Sequence, residues 1–77
     1  MKNLIDIISF YTGFATHAIT YDMRIVEDLG IDSITMYEII GEIEATFEIE
    51  DIPAEVVREA KTVRDVEKLL RKYTLAI

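Results

Sequence analysis

The feature that most constrains this chain is an apolar stripe of helical period between about Ser33 and Glu48. Five apolar residues recur there at intervals of three or four: Met36, Ile39, Ile40, Ile43 and Phe47. Four glutamates lie away from this stripe: Glu38, Glu42, Glu44 and Glu48. Such spacing places the apolar residues on one face of a helix and the charged residues on another. The segment is therefore predicted to be an amphipathic helix that the rest of the chain must cover.

Two further segments show the same period. One runs from about Lys2 to Thr12 and is followed by Gly13, a residue suited to a helix C-terminus. Its apolar face comprises Leu4, Ile5, Ile8 and Tyr11. The other begins at Thr62 with Thr62-Val63-Arg64-Asp65, which has the form of a capping box. Its predicted core residues are Val63, Val66, Leu69, Leu70 and Tyr73. With a short helical piece expected from Pro53 to Ala60, the pattern indicates an all-α fold.

The connection of about 19 residues between Gly13 and Ser33 has no clear period. Loops of that length are uncommon in compact domains unless they are functional or fixed to the core. This connection contains six apolar residues that could fix it: Ile19, Tyr21, Met23, Ile25, Val26 and Leu29. We therefore expect an ordered loop laid over the helices. A length of 77 residues allows a single domain, residues 1–77.

Charge is distributed unevenly along the chain. Residues 22–59 contain 12 acidic and two basic residues, a local net charge of −10, within a total of −7. This acidity disfavours nucleic acid and anionic membranes as partners, because both would repel it, and favours basic protein surfaces. A solvated helix face is the simplest explanation of such a charge run. Because like charges on one helix cost stability, a docking face is an equally good one.

Conventional catalytic and metal sites are not apparent in the sequence. The chain has no cysteine, which excludes a disulfide framework, a thiolate metal site and a thiol nucleophile. His17 is the only histidine and no Gly-x-Ser-x-Gly elbow is present, so a serine hydrolase is disfavoured. The acids Glu48, Glu50 and Asp51 lack the spacing of a calcium loop. We predict no catalytic residue and no metal ligand.

The N-terminal segment has some character of a signal peptide, because apolar residues follow Lys2. Asp6 interrupts that apolar stretch, whereas signal peptides prefer an unbroken one. The longest run without Asp, Glu, Lys or Arg extends from Ile7 to Tyr21, which is shorter than the ~20 residues of a membrane span. The sequence therefore favours a cytoplasmic protein.

The candidate functional site precedes the acidic helix. A turn at Leu29-Gly30 brings Asp32 and Ser33 to the predicted start of that helix. An Asp-Ser pair in this place is usually a simple cap. However, Met36 stands three residues beyond Ser33, where a capping box would need Glu or Gln. With Asp32 as the cap, Ser33 is exposed at the positive end of the helix dipole, where an attached phosphate is favoured.

These residues resemble a known motif. Glu27-Asp28-Leu29-Gly30-Ile31-Asp32-Ser33-Ile34 is similar to the attachment motif of acyl carrier proteins, E-D-L-G-x-D-S-L, with Ile34 in place of the commoner Leu. The acidic helix ending at Phe47, the Ile52-Pro53 step and the segment Thr62–Val66 follow in that family's order and at about its spacing. The resemblance covers roughly Ile19 to Leu70.

The resemblance implies a four-helix bundle with a long ordered loop between helices 1 and 2 and a short helix 3. It implies that a phosphopantetheinyl transferase moves 4′-phosphopantetheine from coenzyme A onto the Ser33 hydroxyl. Acyl groups are then held as thioesters on the thiol of that arm, for biosynthesis of the fatty-acid or polyketide type. The absence of cysteine fits this chemistry. The protein is thus expected to be a discrete, monomeric carrier and not an enzyme, with partners that bind it through basic patches.

The resemblance also assigns partner docking to six residues: Asp28, Asp32, Ile34, Tyr37, Glu38 and Glu44. The two aspartates would recruit the transferase and partner enzymes, the two glutamates would lie on the docking face of helix 2, and the two apolar residues would contact partners beside the arm. Gly41 and Ala45 depart from the bulkier or acidic residues that are common on that face. The first segment, with Phe10, Tyr11 and Phe14, is more aromatic than is typical for the family, which favours a specialised pathway.

Two other functions remain open from the sequence. A peptidyl or aryl carrier is a close variant, although such carriers more often show Gly-Gly-x-Ser where this chain has an acidic motif around Asp32. The second is an unmodified acidic helical module that only binds other proteins. Modification of Ser33 separates this second possibility from a carrier.

Overall fold

The computed structural model describes residues 3–74, and within them the chain forms four α-helices and one short 3₁₀ turn. The helices are α1 (Leu4–Thr12), α2 (Ser33–Phe47), α3 (Ala54–Glu59) and α4 (Val63–Tyr73), and the 3₁₀ turn is Thr16–Ala18. No strand occurs in this range, only an isolated antiparallel bridge between Arg24 and Thr62. The all-α prediction is confirmed, together with the long first loop and the short third helix.

Local capping chemistry sets the helix ends. At α1, the Asp6 backbone N–H donates to Asn3 Oδ1 at 2.9 Å, and the Asn3 N–H donates to Asp6 Oδ2 at 3.1 Å. The sequence analysis missed this capping box, and its predicted first residue, Lys2, lies outside the described residues. Gly13 ends the helix as expected, with a left-handed φ of 83°. Pro53, predicted to lie within α3, is instead its N-cap.

The core is apolar throughout and draws on every helix and on the long loop. The buried side chains are Leu4, Ile7, Ile8, Ile19, Ile25, Leu29, Ile31, Met36, Ile39, Ile40, Ile43, Ile49, Ile52, Val57, Val63 and Val66. No polar side chain is buried within residues 3–74. The stripe predicted for α2 is confirmed, with Phe47 partly buried at its end. In α1 the stripe is displaced, because Ile7 is fully buried whereas Ile5 and Tyr11 are only partly so.

The long loop is attached to the start of α4 by backbone hydrogen bonds. The Ile25 N–H donates to the Lys61 carbonyl at 2.9 Å, and the Val63 N–H donates to the Met23 carbonyl at 3.0 Å. These bonds join segments that are far apart in the chain. The prediction of an ordered loop is therefore confirmed.

Two of the six apolar loop residues lie at the surface and not in the core. Val26 is 65% exposed, and Tyr21 is also exposed. Val26 follows the buried Ile25 in a tight turn, so that the side chain of Ile25 enters the core and the side chain of Val26 is exposed to solvent. Ile31, which was not among the six, is buried. The prediction was thus wrong for Val26 and Tyr21.

None of the helices in the described part of the chain has both the length and the apolar character needed to cross a membrane.

Candidate functional site

The turn before α2 is held by its own backbone. The Leu29 N–H donates to the Arg24 carbonyl at 3.1 Å, and the Ile31 N–H donates to the Ile25 carbonyl at 3.0 Å. Gly30 lies between these bonds with a φ of 69°, in the left-handed region that strains any residue with a side chain. The motif Leu-Gly is therefore what allows the chain to reverse direction immediately before α2.

Asp28 braces the same turn. Its Oδ2 accepts a hydrogen bond from the Arg24 backbone N–H at 2.7 Å and lies 3.8 Å from Arg24 Nε. Both side chains are exposed. The structure thus gives Asp28 a role in fixing the turn, while its recruitment of partners stays a prediction.

Asp32 is the N-cap of α2, as the sequence indicated. Its Oδ1 accepts a hydrogen bond from the Thr35 backbone N–H at 2.8 Å. That hydrogen bond is the largest cause of a lowered pKa for the Asp32 carboxyl. The cap is therefore negatively charged at neutral pH, at the end of the helix where negative charge is favoured.

Ser33 is the first residue of α2, and its side chain is exposed. Its hydroxyl has no hydrogen-bond partner among residues 3–74. The chain's other serine behaves differently, because Ser9 Oγ donates to the Phe14 carbonyl at 2.6 Å. Of the two serine hydroxyls, only that of Ser33 is available to react without first breaking a hydrogen bond.

A groove of about 480 Å³ opens beside Ser33, between the long loop, α2 and the end of α3. Its apolar lining consists of Ile25, Val26, Ile31, Met36, Val57 and Ala60. Its polar lining consists of Glu27, Asp32, Ser33, Tyr37, Arg58 and Lys61. The groove lies within the ~300–1,000 Å³ range of small-molecule sites. An exposed hydroxyl next to an open, mainly apolar groove fits a covalently attached arm that has a phosphate at one end.

His17 does not line this groove. It is exposed in the 3₁₀ turn Thr16–Ala18. Within residues 3–74, the structure shows no hydrogen bond between His17 and Ser33.

Around Ser33, the exposed surface of α2 carries large apolar side chains. Ile34 is 71% exposed and Tyr37 is 48% exposed, and the neighbouring Glu38 is exposed as well. Val26, assigned to the core by the sequence analysis, adds to this exposed apolar surface. Its position could have been found only from the turn geometry, since composition alone does not distinguish it from Ile25.

Glu44 differs from the other predicted docking residues. It is half-buried, and its Oε2 accepts a hydrogen bond from the Ile52 backbone N–H at 2.9 Å. This bond ties the end of α2 to the segment before α3. Glu44 therefore has a structural role that the sequence did not indicate, and its docking role stays a prediction.

Gly41 is exposed in the middle of α2, and a Cβ added there would meet nothing within 4 Å. Close packing inside the molecule is therefore not the reason for this glycine. It lines a second groove, of about 350 Å³, between α2 and α3.

Comparison with known proteins gives a consistent result. The family described as "Phosphopantetheine attachment site" matches residues 2–70. The chain is 36% identical to an acyl carrier protein of Rickettsia bellii over 94% of this chain and 88% of that protein. It is 42% identical to an acyl carrier protein of an Arthrobacter species over 84% of this chain and 79% of that protein. It is also 32% identical to part of a polyunsaturated fatty acid synthase of a Thraustochytrium species, over 82% of this chain and 2% of that protein.

Proposed function

This chain belongs to the family of acyl carrier proteins with a phosphopantetheine attachment site, and on that premise we propose that Ser33 is the residue that receives the arm. Family membership makes the protein a carrier of acyl groups for fatty-acid or polyketide-type biosynthesis and not a catalyst. Its prosthetic group is 4′-phosphopantetheine, and its partners are acyl-processing enzymes. When bound, the arm supplies the thiol that this cysteine-free chain lacks.

The free hydroxyl of Ser33 at the start of α2 is the observation that carries this proposal. A phosphodiester on Ser33 would lie at the positive end of the α2 dipole, which stabilises negative charge. Asp32 already satisfies the Thr35 N–H, so attachment at Ser33 removes no hydrogen bond from the helix cap. The adjoining groove leaves space for the arm on the same side.

The partners of the protein, its oligomeric state and its compartment follow from the same family membership as proposals. We propose that a phosphopantetheinyl transferase loads the protein and that its partners contact six residues. Basic patches would contact Asp28, Asp32, Glu38 and Glu44, and apolar partner surfaces would contact Ile34 and Tyr37. All but Glu44 are exposed, whereas Glu44 is half-buried and also joins α2 to the segment before α3. The chain is proposed to act as one domain, as a monomer and in the cytoplasm.

Mass spectrometry of the intact protein tests the attachment site. After incubation with coenzyme A and a broad-specificity transferase, the wild-type chain should gain one phosphopantetheine. Ser33→Ala should gain none, whereas the matched control Ser9→Ala should be modified as fully as the wild type, because Ser9 lies on α1 and already donates a hydrogen bond. Modification that persists in Ser33→Ala, or a wild-type chain that is never modified, would contradict the proposal.

A further inference from the structure

The groove beside Ser33 contains two basic side chains without ion-pair partners in the part of the chain that the structure describes. Arg58 lies in the last turn of α3, Lys61 follows two residues after the helix ends, and both are exposed. The other three arginines, Arg24, Arg64 and Arg71, each pair with a carboxylate. Among residues 3–74, the one arginine without such a partner is thus the one that lines the groove.

The surroundings make this placement unusual for the chain. The net charge is −7, and residues 22–59 contain only two basic residues, of which Arg58 is one. The groove wall near these cations is apolar, with Val57 and Ala60 from the same segment. The groove also contains two carboxylates, Glu27 and Asp32, which come from the end of the long loop, whereas the cations come from the end of α3 and the residues after it. An anion in the groove would therefore be attracted to Arg58 and Lys61 and repelled by Glu27 and Asp32.

We propose that Arg58 and Lys61 make the groove selective for acyl groups that end in a carboxylate. This inference rests on the proposed function, because the acyl group must be tethered at Ser33. The methylene part of such cargo matches the apolar lining, and its terminal carboxylate matches the two cations, of which arginine offers a bidentate fork. An acyl group that ends in a methyl gains only the apolar contacts.

The phosphodiester of the arm is a second anion within the same site. It is identical for every cargo, so its attraction to Arg58 and Lys61 would not distinguish one acyl group from another. A comparison between two cargoes of equal length therefore separates the two anions.

The experiment uses hexanoyl and adipoyl groups, which both contain six carbons and differ at the far end. Each is loaded on the full chain from its coenzyme A thioester by a broad-specificity transferase, and loading is checked by intact mass. The rate of thioester cleavage by hydroxylamine is then measured, with the free coenzyme A thioesters as the reference for intrinsic reactivity. We expect adipoyl to be cleaved about twofold to fivefold more slowly than hexanoyl, the range that an exposed ion pair of good geometry gives.

The matched variants identify the responsible residues. In Arg58→Gln/Lys61→Gln the ratio of the two cleavage rates should fall to that of the free thioesters, with the hexanoyl rate unchanged. Lys68→Gln is the control, because Lys68 is an exposed cation of α4 that does not line the groove. It should keep the full ratio, and circular dichroism should show the same helix content in all three proteins.

Each other outcome has a definite meaning. Equal rates for both cargoes in the wild type, or a ratio that persists in the double variant, would overturn the selectivity. If the double variant cleaved both thioesters faster by the same factor, the two cations would be acting on the phosphodiester of the arm. That result would also overturn the selectivity. Failure of the chain to be loaded at Ser33 would instead overturn the proposed function, and the intact mass reveals that before any rate is measured.

Discussion

Helices α2 and α4 both start with a side-chain cap, but they use their hydroxyl groups differently. At α4, Thr62 Oγ1 accepts a hydrogen bond from the Asp65 N–H at 3.2 Å, and Asp65 Oδ2 accepts one from the Thr62 N–H at 3.1 Å. At α2 the carboxylate of Asp32 is the cap, and the hydroxyl belongs to the next residue, Ser33. A shift of one position therefore separates a hydroxyl that stabilises its helix from one that is left available.

The remainder of each helix shows the same contrast. Helix α4 has Arg71 and Lys72 in its last turn, where cations complement the helix dipole, and Arg71 pairs with Glu67 at 3.2 Å. Helix α2 has no basic residue in its last turn and contains a glycine in its interior. The features that stabilise a helix are concentrated in α4, whereas α2 carries the exposed hydroxyl, acidic residues and apolar side chains that partners can contact.

The largest expected effect concerns the hydroxyl residues at the two helix starts: Thr62 should matter for stability, and Ser33 should matter for modification. Thr62→Ala should lower the free energy of unfolding by about 1 kcal/mol, because it removes the capping hydroxyl. Ser33→Ala should change it by less than about 0.5 kcal/mol, because no hydrogen bond is lost. Urea denaturation measures both values.

The same two variants should behave in the opposite way towards the transferase. Thr62→Ala should still accept phosphopantetheine under conditions in which the protein is folded, whereas Ser33→Ala should not. A loss of stability in Ser33→Ala as large as in Thr62→Ala would show that the Ser33 hydroxyl is part of the cap, and the contrast between the helices would fail.

A somewhat smaller effect is expected from Gly41, which weakens α2 without packing against anything. Gly41→Ala should raise the free energy of unfolding by about 0.5–1 kcal/mol, because a helix-interior glycine is less favourable than alanine by about that amount and the added Cβ has open space. The control is Gly30→Ala, which should be destabilising because φ at Gly30 is 69°. Urea denaturation of both variants checks the opposite signs. If Gly41→Ala did not raise the free energy of unfolding, the glycine would not be weakening α2 at this position.

Features set by neighbours in sequence could be predicted, and these include most of the fold. The apolar stripe of α2, the capping box at Thr62 and the helix end at Gly13 all depend on residues within about four positions of one another. The same local logic placed Asp32 as the cap and left Ser33 free. The capping box of Asn3 and Asp6 carried an equally local signal and was overlooked.

Features that depend on distant segments could not be predicted. Val26 is exposed because it follows Ile25 in a turn, and that turn is positioned by the hydrogen bond from the Ile25 N–H to the Lys61 carbonyl, just before α4. The half-buried position of Glu44 follows from its bond to Ile52, eight residues away. Lys61 lines the groove beside Ser33 only because the fold brings together two segments that are far apart in the chain, and no sequence pattern indicates that they meet. The groove was therefore outside the reach of sequence reasoning, although the serine at its edge was not.

The smallest expected effect is on the acid stability of the two caps. Backbone N–H groups that donate to the carboxylates lower the pKa of both aspartates below the ordinary value of 3.8, with Thr35 the main donor at Asp32 and Lys61 the main donor at Asp65. A carboxyl with a lower pKa in the folded state adds stability above its unfolded pKa and loses that stability as the pH falls through the folded value.

The free energy of unfolding should therefore decline as the pH falls from about 4 towards 2, with a contribution from each cap. Urea denaturation at a series of pH values measures that slope, and Asp32→Asn and Asp65→Asn should each reduce it. Asp65 accepts hydrogen bonds from the backbone N–H groups of two residues, Lys61 and Thr62, whereas the main backbone donor to Asp32 is the N–H of a single residue, Thr35. The reduction should accordingly be larger for Asp65→Asn, and a larger reduction in Asp32→Asn would make α2, and not α4, the more strongly capped helix.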